Sequence, residues 1–249
     1  MLSALQSQVR IILLDIEGTT TPVEFVYQTL FPYASNNMES FLRKYFREPE
    51  IVSLIQGLHT KHHSDEQQGF QPSAWIDEPD ESRLHSAVVY SQWLMAKDSK
   101  CIALKSLQGR IWQEGYAKGE IHGQVYADVP PAFKRWQRQN REICIYSSGS
   151  ILAQQLLFRS IASEDLTPHI AAFFDTSVGA KTETESYRKI AESLAQNPHY
   201  FLFISDAIKE IRAAYDAGMQ VILCNRDKRA FQLPDDKIVV HNFEEIFPD

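Results

Sequence analysis

The stretch VRIILLDIEGTTTP, residues 9–22, decides how the rest of the chain is read. Val9 to Leu14 is short, rich in β-branched residues and apolar on both sides, the composition of a parallel strand covered by helices on both faces. Asp15 and Glu17 come directly after it, then Gly18, which lets the backbone turn, then Thr19, Thr20 and Thr21. In open α/β sheets ligands bind beyond the carboxyl ends of the strands, so an acid one step past a buried strand points into a site. Asp15 is therefore the candidate nucleophile, although an Asp-x-x-Gly turn taken alone often does no more than shape the chain.

Working outward, α/β alternation resumes from Val129. Strands are expected at 142–146, 171–174, 200–204, 221–224 and 238–240, with helices at 130–139, 151–159, 185–194 and 208–217. Alternation of this kind predicts a doubly wound, Rossmann-like parallel sheet, to which the first strand belongs. Between Val23 and about Ile121 the chain offers amphipathic helices instead: 22–34, interrupted by Pro32, then 38–46, 50–63, 82–97 and 101–114, with a polar loop from His63 to Pro79. The expected organisation is an α/β core of residues 1–20 plus 124–249 and an inserted all-helical subdomain of residues 21–123. Phe25, Tyr27 and Phe31 are expected in the core of that insertion. His59, His62 and His63 have metal-ligand spacing but sit at a polar helix end and are read as solvated.

Composition narrows the function. The 249 residues carry a formal net charge of −7, with no basic stripe to neutralise a nucleic-acid backbone. A membrane partner is not expected, since no apolar run is long enough to span a bilayer, and the start MLSALQSQVR lacks a secretory pattern. Cys144 and Cys224 fall inside apolar strands, and the cytoplasm is the expected compartment. The expected partner is a small phosphorylated molecule, acted on by a monomer.

The other strand ends are polar too: Ser147 and Ser148 after the second, Lys181 in the loop after the third, Asp206 after the fourth. In a parallel sheet these ends share one edge. Taken singly, the serines read as a helix cap, Lys181 as a solvated lysine and Asp206 as a cap; their joint placement reverses that. Three gathered carboxylates repel unless a cation sits among them, and an all-oxygen donor set favours magnesium over zinc. Asp15 is then expected to ligate the metal and attack phosphorus, with Asp206 a second ligand. Lys181, Ser147 and Ser148 are expected to neutralise the phosphoryl oxygens. Glu17 is expected to protonate the leaving oxygen and then deprotonate water, which requires a raised pKa.

These residues resemble the haloacid-dehalogenase-like superfamily of aspartate-nucleophile phosphatases, with DIEGT at the Asp-x-Asp-x-Thr motif and Ser147, Lys181 and Asp206 at the following three. The helical block resembles that superfamily's cap. Glu17 stands where the superfamily has aspartate, and the acidic pair Asp206 and Glu210 ends in glutamate. The strings DIEGTTTPVEFV, LQGRIWQEGYAKGEIHGQVYADVPPA, YSSGS and SDAIKEIRAA are similar to the enolase-phosphatase family of methionine salvage. That resemblance implies enolisation of 2,3-diketo-5-methylthiopentyl 1-phosphate and its dephosphorylation to an acireductone with magnesium. It implies a metal site of Asp15, Glu17 and Asp206, and substrate contacts from Ser147, Ser148 and Lys181. Glu17 is the expected acceptor of the carbon-bound proton. The alternative is a capped phosphatase for another small phosphomonoester, without the enolase step.

Overall fold

The computed structural model describes residues 8–228 and 238–248, so most of the MLSALQSQVR start lies outside the described residues. In chain order, β1 (Ile11–Leu14) is followed by short helical turns at Val23–Phe25 and Val26–Leu30 and then by α1 (Phe31–Tyr45), α2 (Pro49–Gln67), α3 (Asp80–Ala96) and α4 (Ile102–Lys118). Then come α5 (Val129–Arg138), β2 (Glu142–Tyr146), α6 (Ile151–Arg159), β3 (Ala172–Phe174) and α7 (Thr184–Ser193). Next are β4 (Phe201–Ser205), α8 (Ile208–Asp216), β5 (Gln220–Cys224) and β6 (Ile238–Val240). The chain divides into two compact units, one formed up to Phe25 and again from His122, the other by Val26–Ile121.

In the first unit the six strands form one sheet in the order β3-β2-β1-β4-β5-β6, every neighbouring pair parallel. The chain leaves β1 toward β2 on one side and leaves β4 toward β5 on the other. The strand order therefore reverses between β1 and β4, and such a switch point opens a crevice at the carboxyl ends. Leu14 pairs with both Ile145 and Ile204, so Asp15 emerges level with the ends of β2 and β4.

Alternation along the strands builds two apolar layers. Ile11, Leu13, Cys144, Phe201 and Phe203 pack with Tyr187 and Ile190 of α7 and with Ile211 and Ala214 of α8. The alternate residues Ile12, Leu14, Ile143, Ile145, Leu202 and Ile204 are fully buried on the opposite face. There Phe158 of α6 meets Phe173, and Phe133 and Trp136 of α5 continue the ring contacts to Phe243. Covered on both faces, the sheet has the doubly wound architecture expected.

The helical unit has its own core, in which Met38, Leu42, Leu58, Leu84, Leu94 and Leu107 are buried. Several expectations need correction there. Pro32 does not end the helix: a π-helical turn at Val26–Leu30 runs straight into α1, whose first turn carries the proline. α2 does not stop at His63 but continues to Gln67, carried by the i,i+4 pairs Lys61–Asp65 and His63–Gln67. His62 is not solvated: it is buried, with Nε2 2.8 Å from the Ser73 carbonyl oxygen and its ring against Trp75 and Tyr90. Phe25 is buried but belongs to the sheet unit, and Tyr27 is exposed. Among the described residues no helix is long and apolar enough to cross a membrane.

Candidate active site

Asp15 closes the ladder of β1, its N–H donating to the Ile204 carbonyl at 3.0 Å, and the chain then turns out of the sheet. The amides of Thr19, Thr20 and Thr21 all donate to the Ile16 carbonyl, at 3.2, 2.9 and 2.9 Å. The Gly18 N–H donates to Thr21 O at 2.8 Å, so residues 16–21 form a closed turn. Gly18 has φ +71°, and a Cβ there would collide with the Asp206 carboxylate, which only glycine avoids. The Asp206 N–H donates to Thr19 Oγ1 at 3.0 Å, tying the end of β4 to the same turn.

Lys181 reaches the crevice from the loop after β3. Its buried ammonium ion-pairs with Asp15 Oδ1 and, at 2.8 Å, with Glu210 Oε2. The loop is held by the Tyr187 hydroxyl donating to Lys181 O at 2.7 Å and the Tyr146 hydroxyl donating to Gly179 O at 3.0 Å. Ser205 Oγ lies 3.2 Å from Asp15 Oδ2 and 2.9 Å from Glu210 Oε2. After β2, Ser147 Oγ donates to Glu17 Oε2 at 3.3 Å and accepts from the Gly149 N–H at 3.1 Å. Ser148 is half-buried in the same turn, and Ser150 caps α6.

Electrostatics at this edge is lopsided, with Asp15, Glu17, Asp206 and Glu210 facing one ammonium. Burial, then the neighbouring Asp15, pushes the Glu17 carboxyl above its ordinary range. The same two causes push Asp206 up to about 6 and Glu210 up to about 7. Burial alone would discharge Lys181, but Asp15, Glu210 and Glu17 outweigh it and keep the ammonium charged.

The structure thus brings Asp15, Glu17, Ser147, Lys181 and Asp206 to one edge, with Ser148 in the adjoining turn. Glu210, Ser205, Thr19 and Arg226 join them without having been picked from the sequence as site residues. Glu210 carried a signal, lying four residues after Asp206 at the start of a helix, and Thr19 stands at the last position of the DIEGT motif; Ser205 and Arg226 carried none.

An acid after β1, a hydroxyl after β2, a lysine after β3 and acids after β4, on a parallel sheet of this order, define a class of hydrolase. The family model described as haloacid dehalogenase-like hydrolase matches residues 9–218, and the chain belongs to that family. It is 44% identical to the enolase-phosphatase E1 of Synechococcus elongatus, over 94% of this chain and 96% of that one. It is 38% identical to the enolase-phosphatase E1 of Drosophila melanogaster, over 95% of this chain and 91% of that one. Among solved structures, the UTR4 protein of Saccharomyces cerevisiae superposes with a TM-score of 0.75 at 33% identity, covering 95% of this chain and 99% of that one.

Proposed function

We propose that the chain is a magnesium-dependent enolase-phosphatase. It converts 2,3-diketo-5-methylthiopentyl 1-phosphate to the acireductone 1,2-dihydroxy-3-keto-5-methylthiopentene in methionine salvage. The single observation that carries the substrate assignment is the 44% identity to an enolase-phosphatase over 94% of the chain, which takes in the helical unit as well as the sheet. We read the protein as a cytoplasmic monomer, and its free cysteines accord with a reducing compartment.

The donor set fits magnesium. Four carboxylates against one ammonium leave excess negative charge, and burial first and repulsion from Asp15 second raise Asp206 and Glu210. Among the described residues no three His, Cys, Asp or Glu side chains form a ready cage. Magnesium does not need one, since it is held by one or two carboxylates and completes its shell with water and substrate phosphate. Asp15 and Asp206 would supply the carboxylates. Glu17, on the same turn as Asp15, would complete the set that the resemblance to the enolase-phosphatase family implies. Bound magnesium would supply a Lewis acid for the carbonyl and phosphoryl oxygens.

Glu17 handles the protons in sequence. As a carboxylate it removes the carbon-bound proton, and its elevated pKa then favours keeping that proton. An Asp15 carboxylate oxygen attacks phosphorus, the bond from phosphorus to the substrate oxygen breaks, and Glu17 delivers its proton to that oxygen. Glu17 then takes a proton from the water that hydrolyses the aspartyl-phosphate, which releases inorganic phosphate and restores Asp15, and passes it to the enolate oxygen left by the first step, giving the dihydroxy product and restoring its own carboxylate. Lys181, Ser147 and Ser148 hold the phosphoryl oxygens.

A 1-phosphorylated 2,3-diketone tests the reading. Phosphate release and the enediol absorbance are both expected, both lost on chelation, and Asp15→Asn lowers kcat for phosphate release by about 10³-fold or more. Phosphate release with no enediol absorbance would reassign the chain to another phosphomonoester, and activity that survives chelation would remove the metal.

A further inference from the structure

Arg226 lies one residue beyond Asn225 at the end of β5, and its side chain is almost wholly buried. Its Nε and Nη2 both donate to the Thr19 carbonyl, at 3.0 and 2.8 Å, while Nη1 pairs with Asp128 Oδ2 at 2.7 Å. Asp128 is fixed in turn by the Phe243 N–H at 2.5 Å. The guanidinium plane is packed against the Tyr126 and Phe243 rings, 4.3 and 4.5 Å from their centroids. Next to it, Tyr126 N–H donates to the Thr20 carbonyl at 3.0 Å.

Thr19 is where these contacts meet the chemistry. Its carbonyl takes the fork of Arg226, its hydroxyl takes the Asp206 N–H, and its amide closes the turn onto Ile16. Gly18 lies against the Asp206 carboxylate with no room for a Cβ, so a small displacement of the Thr19 carbonyl changes the spacing between the turn and Asp206. Nε, Nη1 and Nη2 are all committed to Thr19 and Asp128, so this side chain meets the turn.

A buried ion pair is a poor source of stability, because apolar side chains of the same volume often do as well. Two of the guanidinium's donors go to a single main-chain oxygen in the turn that follows the candidate nucleophile. We propose that Arg226, braced by Asp128, is a positioning residue: it sets the Asp15–Thr21 turn against Asp206 at the separation that the metal and the phosphoryl group require. The inference rests on the proposed function and adds to it a residue that touches neither substrate nor metal.

Arg226→Met and Arg226→Lys, in the full chain, test it. The readings are melting temperature, kcat and KM on a 1-phosphorylated 2,3-diketone, and the magnesium concentration needed to raise the melting temperature, which requires no turnover. Arg226→Met is expected to lower kcat about 10- to 100-fold, with KM little changed and about tenfold more magnesium needed. Arg226→Lys keeps the charge beside Asp128 but loses the planar fork, so it is expected to recover the melting temperature and not kcat. If Arg226→Met fails to fold, the lysine variant decides. Wild-type kcat and magnesium requirement in either folded variant would overturn the inference, as would losses that follow the melting temperature alone. A wild-type protein that takes up magnesium but releases no phosphate would sink the proposed function, and the magnesium requirement of the variants would still judge Arg226.

Discussion

Glu17 is asked for opposite protonation states within one turnover, a carboxylate for enolisation and an acid for phosphoryl transfer. Burial and the adjacent Asp15 raise its pKa, so the protonated form persists to higher pH than for an ordinary glutamate. A simple phosphomonoester brings no acidic C–H, so Glu17 must already hold its proton, and kcat is expected to fall as pH rises through the raised value. With the diketone the proton arrives with the substrate, so kcat is expected to fall instead on the acid side, where the carboxylate is lost. Profiles of kcat against pH for the two substrates check this, and superimposable profiles would rule out a proton passed from carbon to leaving oxygen. Glu17→Gln is expected to abolish dephosphorylation of both. At this scale the sequence was most legible where an acid directly follows a strand, as at Asp15 and Asp206, and next where the loop after a strand carries a lysine, as at Lys181. Ser205 and Arg226 were not, because their partners Asp15 and Thr19 stand 190 and 207 residues away and only the folded sheet brings them together.

The element that concentrates the chemistry is the Ile16–Thr21 turn, whose three threonine amides share one carbonyl. Gly18→Ala strains it twice, through φ +71° and through a Cβ driven into the Asp206 carboxylate. The expected cost is about 1–3 kcal/mol of stability, read by thermal or denaturant unfolding. The fall in kcat is expected to exceed what that loss of folded protein explains, because the displaced group is a candidate ligand; a variant with unchanged kcat would mean that Asp206 tolerates movement. The turn was readable because β1 has the continuous apolar character of a strand buried on both faces. α1 and α2 were less so. A proline carried past a π-helical turn looks from sequence like a break, and the polar run His63–Gln67 looks like a loop until the i,i+4 pairs that sustain it are seen.

At the scale of the whole molecule, the residues assigned to chemistry all lie in the sheet unit, while the helical unit has a separate core and a buried polar centre of its own. Asp65 on α2 accepts from the Tyr90 hydroxyl of α3 at 2.6 Å and pairs with Lys61, beside the buried His62. Burial would raise the Asp65 pKa, but the hydrogen bonds from Lys61 and Tyr90 outweigh it and hold the carboxyl below its ordinary value. A depressed carboxylate contributes stability that is present above its unfolded value of about 3.9 and is lost as pH falls through the folded one. Asp65→Asn is expected to cost about 1–3 kcal/mol at neutral pH and to flatten the loss of stability below about pH 4. Two units with independent cores further imply that the damage stays local. Hydrogen exchange should show α2 and α3 losing protection while amides of β1, β2 and β4 keep theirs. Equal loss across both units would mean instead that the chain unfolds as one cooperative body, and that the insertion and the sheet share their stability.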